Sequence, residues 1–161
     1  MTGKPAARLG DMTAHGSPLA GAPGAPTVMI GGQPAWRGTT AAGAAALAQG
    51  VAKAAQDIAV ASAAATAASG TPGGPAAQAN LVKVATEAVT GLAALMASVG
   101  GDVHACPVVK LVIPDGTGLV VTASQTVSIC GAGAARMGDV IQEATSVSSV
   151  AFGAMNVLIG G

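Results

Sequence analysis

Three Gly-Asp pairs, Gly10-Asp11, Gly101-Asp102 and Gly138-Asp139, each carry a metal-binding residue type four positions beyond the Asp: His15, Cys106 and Glu143. Imidazole, thiolate and carboxylate are the donors that take up transition metals, zinc foremost. His104 precedes Cys106 by two positions, and on an extended strand such residues share a face. The spacing therefore predicts His15, His104, Cys106 and Glu143 as a tetrahedral set suited to Zn²⁺, and both histidines of the chain belong to it. Asp115, or a water, is the alternative to Glu143 as the fourth ligand. The competing reading makes His15 a turn residue and Cys106 a buried thiol. Cys130 sits where the other repeats have Gly31 and Gly160, on the strand face opposite Val127 and Ile129, and is left outside the set.

A closed four-ligand site is structural, whereas a catalytic one keeps a coordination position open. With both histidines committed to metal, no Ser-His-Asp set can be assembled. The Gly-rich stretches lack the Lys-Ser/Thr ending of a phosphate loop and read as turns. The expectation is a protein that is not an enzyme.

The elements that must position these residues are repeats. Ala6-Ala7-Arg8-Leu9-Gly10-Asp11 returns as Ala134-Ala135-Arg136-Met137-Gly138-Asp139. Strand-like runs recur at Thr27–Gly32, Thr126–Gly131 and Asn156–Gly161, with Val and Ile alternating as on a half-buried strand. Gln33-Pro34-Ala35-Trp36-Arg37 is a further lead-in, but no Gly-Asp follows until Gly101-Asp102. The third copy has thus been opened between its Arg and its Asp. After Cys106, Val108–Ile113 is apolar, Pro114-Asp115-Gly116 reads as a turn, and Leu119–Thr122 is strand-like.

The interruption, residues 39–100, is of another kind. Thr40–Ala68 is Ala-rich and a strong helix former, Ser69–Pro75 is a breaker cluster, and Ala76–Ser98 is a second helix. The first helix would run ~40 Å. Lys53 with Asp57 and Lys83 with Glu87 form i,i+4 pairs on a solvated face. The fold expected is mainly β: a small pseudo-threefold cone or prism, built from residues 1–38 and 101–161, carrying an antiparallel helical hairpin at 39–100.

Net charge is zero and only 9% of residues are charged, which argues against a nucleic-acid or anionic-membrane surface. Trp36 and Phe152 are the sole aromatics, so any core is narrow and built from Ala, Val, Ile and Leu. The first residues show no signal peptide, and no run of eighteen or more residues is strongly apolar and uncharged, so no clear membrane span is expected. A thiol or metal-ligand role is expected for the cysteines rather than a disulfide.

Pro5-Ala6-Ala7-Arg8, Gly133-Ala134-Ala135-Arg136 and Pro34-Ala35-Trp36-Arg37, with the Gly-Asp segments and Val-x-Ile strands around them, resemble the PAAR-repeat family. The resemblance covers residues 3–38 and 101–161. It implies a non-enzymatic cone that caps the trimeric central spike of a contractile injection machine, such as a type VI secretion system or a phage-tail-like particle, with one tip per spike trimer. It also implies a zinc near the apex, held by residues matching His15, His104 and Cys106. Some members carry a ligand His in the stretch matching Pro114–Gly118, where this chain has Asp115. Such a protein would be assembled in the bacterial cytoplasm and delivered outside, or into a target cell, with the particle. The hairpin lies outside the resemblance. It is expected to lie beside the cone as a soluble hairpin, in contact with the spike, the sheath-tube lumen or a cargo. The alternative is an adaptor or effector whose hairpin engages a toxin or a target membrane.

Overall fold

The computed structural model describes residues 3–110 and 113–160, with the side chains of 109, 110 and 113–115 excepted. Its elements in chain order are β1 (Lys4–Ala6), β2 (Met29–Ile30), β3 (Gln33–Pro34), β4 (Arg37–Gly38), α1 (Ala41–Ala67), α2 (Gly74–Ser98), β5 (Val103–Lys110), β6 (Ile113–Val120), β7 (Ser128–Ile129), β8 (Ala132–Ala134), β9 (Val140–Glu143), β10 (Val147–Ser149) and β11 (Ala154–Ile159). The strands form four small antiparallel sheets, ordered β1-β11, β10-β9-β6-β5, β2-β3 and β4-β8-β7. The mainly-β expectation describes only the body around the hairpin. With helices of 27 and 25 residues, the chain as a whole is mixed.

The repeated motif explains the body. Ala7 N–H donates to Ala135 O (2.9 Å), Ala135 N–H to Trp36 O (3.1 Å), and Trp36 N–H to Ala7 O (2.9 Å). Three segments distant in sequence are thus closed into one backbone ring. Where three chains converge so tightly there is room for little beyond methyl groups. The residues on the two sides of the ring sort into separate clusters. Ala6, Ala35 and Ala134 pack with Ile30, Ile129 and Ile159. Ala7, Trp36 and Ala135 pack with Leu19, Val120, Ile141 and Val150.

Each arginine after the ring closes the same bracket. The Asp Oδ2 accepts from the Arg backbone N–H at 2.8 Å for Arg8–Asp11, 2.8 Å for Arg37–Asp102 and 3.0 Å for Arg136–Asp139. The guanidinium adds Nε to Oδ2 and Nη2 to Oδ1, the latter at 2.8, 2.7 and 3.1 Å. Such bidentate, charge-assisted bonds are the strong ones, and they hold the guanidinium of Arg8 and of Arg37 further toward its charged form. The turn requires a left-handed residue before the Asp, and Gly10, Gly101 and Gly138 have φ of 86°, 99° and 81°. In the middle copy the partners are 65 residues apart, yet the bracket is the same. The hairpin stands where the other copies have one residue, Leu9 or Met137.

Thr40 caps α1 by accepting from Gly43 N–H, and Thr39 Oγ1 donates to Val99 O at 2.9 Å, tying the two feet of the hairpin together. A Cβ at Gly50 would lie 2.6 Å from Leu95 Cδ2, so glycine here lets the helices approach. The second helix begins two residues earlier than expected because Pro75 fits a first turn, where its missing N–H is no loss. At the hairpin's base Leu47, Leu92 and Met96 pack on Leu119, flanked by Val103, Val121 and Ala144. Elsewhere the hairpin is mostly exposed. One feature departs from expectation: α2 is long and apolar enough to cross a membrane by length and composition, and 17% of its most apolar window is buried.

The turn expected at Pro114-Asp115-Gly116 is absent. These residues lie within β6, which pairs with β5 from Val103↔Leu119 to Lys110↔Ile113. The register slips between Cys106 and Val109, and Gly116 adopts φ 73°, so the breaker residues serve an irregular strand. Leu111 and Val112 of the expected apolar run lie outside the described residues.

Because burial decides the cost of breaking an ion pair, the three brackets should rank by exposure of the Asp side chain, which is 0% for Asp139, 1% for Asp102 and 10% for Asp11. Urea denaturation is expected to show losses of about 3–5 kcal/mol for Asp139→Asn and Asp102→Asn, against about 1–2 kcal/mol for Asp11→Asn.

Candidate metal centre

The four-residue count from each Asp ends at one place. His15, Cys106 and Glu143 offer donor atoms that all lie within 4.8 Å of one another, a cluster that could hold a metal ion. His15 Nδ1 stands 3.0 Å from Glu143 Oε2 and 3.8 Å from Cys106 Sγ. Each donor sits at the end of a different repeat's arm, and the ring of backbone bonds below brings the arms together.

His104 does not complete a mutually close foursome. It joins through Glu143, with Nε2 3.5 Å from Oε1. As expected for one strand face, His104 and Cys106 are both buried on β5, and Ala105 between them is exposed. Asp115, the alternative fourth ligand, has a side chain outside the described residues. Cys130 is exposed, 3.5 Å from Thr27 Oγ1, in a left-handed conformation (φ 49°) that matches Gly31 (φ 56°).

The residues fit a cation. Glu143 and His104 have side chains 0% and 1% exposed, yet Glu143 Oε1 and both ring nitrogens of His104 lack hydrogen-bond partners. Buried polar atoms are rarely left unpaired, and a bound ion would satisfy those that face it. Burial pushes the His104 imidazole below its ordinary value, against the pull of Glu143, which favours the neutral ring that a metal requires. Burial also pushes the Cys106 thiol up, with a smaller contribution from Glu143. Without a cation this sulfur is protonated, and an ion that binds there must displace the proton.

Three further residues shape the centre. Gly118, paired with both His104 and Glu143 in the sheet, leaves a notch for them: a Cβ there would collide with His104 Nε2 and come within 2.9 Å of Glu143 Cγ. Ser146 Oγ donates to Glu143 Oε2 at 2.6 Å. Ser17 Oγ lies 3.9 Å from Cys106 Sγ and 3.0 Å from Thr13 Oγ1. Sequence reasoning missed all three. Only Gly118 left a signal, as a second glycine close after Gly116 in a strand-like stretch. His15, 20% exposed, is the donor nearest to solvent.

No protein family, curated protein or solved structure matches the chain.

Elemental analysis should find one equivalent of metal per chain in the wild type and a marked loss in His15→Ala and Cys106→Ala; a variant that kept a full equivalent would remove that residue from the ligand set. Gly118→Ala should weaken metal binding as strongly without replacing a donor, by crowding His104 and Glu143. Because the Cys106 thiol lies above its ordinary value, proton and metal compete across the neutral range. Affinity measured at pH 6, 7 and 8 should therefore rise by about tenfold per unit for each proton displaced.

Proposed function

We propose that the chain is a non-enzymatic spike-tip protein: a small pseudo-threefold β cone, stiffened by a structural zinc, that caps the trimeric central spike of a contractile injection machine. The observation that carries this reading is the closed ring among Ala7, Trp36 and Ala135 with its three Arg–Asp brackets. A single chain whose backbone repeats about one point can meet a threefold partner with three like contacts, at one tip per trimer. Met29, Met155 and Leu158, exposed on β2 and β11, supply apolar surface for such a contact. His15, Cys106 and Glu143, with His104 beside them, would hold the zinc. Its binding free energy would become folding free energy in a body whose core is rich in Ala. Assembly would take place in the bacterial cytoplasm, with delivery in the fired particle.

A second reading, an adaptor or effector whose hairpin engages a toxin or a target membrane, is favoured by one observation: α2 is long and apolar enough by length and composition to cross a membrane, and 17% of its most apolar window is buried. The two separate by deletion of residues 39–100, which leaves Gly38 as the single residue between Arg37 and Gly101. A spike tip keeps its spike binding without the hairpin, whereas an adaptor loses its cargo.

Co-purification with the trimeric spike should yield one chain per three spike subunits. The absence of any association with a spike would overturn the proposal.

A further inference from the structure

Glu143 raises a question of charge that follows from the metal centre and rests on that reading. Its carboxylate is fully buried, and Oε1 is without a hydrogen bond. Removing a carboxylate from water costs several kcal/mol unless a cation compensates. The lysines and arginines whose side chains are described pair with other carboxylates: Arg8 with Asp11, Arg37 with Asp102, Arg136 and Lys4 with Asp139, Lys53 with Asp57, and Lys83 with Glu87. Around Glu143 stand a hydroxyl, Ser146 at 2.6 Å, and two imidazoles, His15 at 3.0 Å and His104 at 3.5 Å.

With metal bound, Cys106 is a thiolate and both imidazoles are neutral, since each must offer a lone pair. The donor set then carries two negative charges, one from sulfur and one from Glu143. A divalent ion brings the centre to zero, whereas a monovalent ion leaves one uncompensated charge beside the buried Glu143 and Cys106. Exchanging the carboxylate for a neutral donor reverses the count: a divalent ion would then leave a net positive charge and a monovalent ion would leave none. Sulfur and imidazole also disfavour hard ions such as Mg²⁺ and Ca²⁺. We propose that Glu143 is the specificity-determining residue of the centre, selecting a borderline divalent ion, zinc first, against monovalent copper.

The test uses the full chain, titrated by chelator competition with Zn²⁺ and, under anaerobic conditions, with Cu⁺, for the wild type, Glu143→Gln and Glu143→His. Circular dichroism checks folding. The spectrum of the Co²⁺-loaded form, through its sulfur-to-metal band, checks that Cys106 still ligates. Glu143→Gln should lose about 100-fold or more in Zn²⁺ affinity and less than tenfold in Cu⁺ affinity. Glu143→His should restore four donors yet shift the Zn²⁺/Cu⁺ ratio the same way. Equal losses for the two ions would overturn the proposal, leaving Glu143 a donor without a charge role; unchanged Zn²⁺ affinity in Glu143→Gln would overturn it by removing Glu143 from the site, and an unchanged Zn²⁺/Cu⁺ ratio in Glu143→His would overturn it by showing that charge does not select the ion. If Glu143→Gln fails to fold, Glu143→His carries the comparison alone. A wild-type chain that bound neither ion would defeat the metal-centre reading itself, a different outcome from equal losses.

Discussion

Everything in this molecule depends on three backbone segments meeting closely enough to hydrogen-bond to one another in a ring. That approach explains the Ala-Ala pair of two motifs, Ala6-Ala7 and Ala134-Ala135, and Ala35 in the third. The first Ala faces a cluster with the isoleucines, the second faces a cluster with Leu19, Val120 and Val150, and neither can be large in every copy. Trp36 is the single large side chain admitted at the ring, wholly buried, with its indole N–H unpaired. The arginine that follows cannot enter such a space, so it turns back and is captured by the Asp after the glycine. A small first residue, a left-handed glycine and one bracketing carboxylate are thus a single constraint written three times.

The metal centre inherits its geometry from that constraint. Once the Asp is clamped, the residues beyond it leave the ring along a defined path, and four residues suffice to carry His15, Cys106 and Glu143 to a common point. The sheet that supports them has two working faces. His104, Gly118 and Glu143 face the centre, and their chain neighbours Val103, Leu119 and Ala144 face the base of the hairpin. The hairpin therefore backs the wall on which the ligands are mounted, and a bond from Thr117 Oγ1 to Met96 Sδ joins the two.

What was legible in the sequence follows from which features are local. The Arg-x-Gly-Asp spacing is local, so it disclosed the three repeats, the interrupted copy and the convergence of His15, Cys106 and Glu143. Helical propensity over long Ala-rich stretches is local too, and the two helices were placed within a few residues. The errors lie where neighbours across the sheet decide. Pro114-Asp115-Gly116 has the composition of a turn but lies in β6, where the pairing with β5 tolerates a register slip. The partial separation of His104 from the other donors, the notch at Gly118 and the hydroxyl of Ser146 are properties of facing strands. No spacing along the chain records them.

The bracket between Arg37 and Asp102 has a consequence for evolvability. It holds the two ends of a 63-residue excursion as near as the other copies hold the ends of one residue, and it does so with bonds that belong to the body. The entropic toll of closing so long a loop is met by contacts that would form anyway, and that toll grows only slowly with length. This junction is therefore a socket: chain of unrelated length can be spliced there while the ring and the brackets keep their places, provided its base still covers Leu119 and Val103. Diversification can proceed at this one position so long as the base of the insert still backs the sheet that carries the ligands.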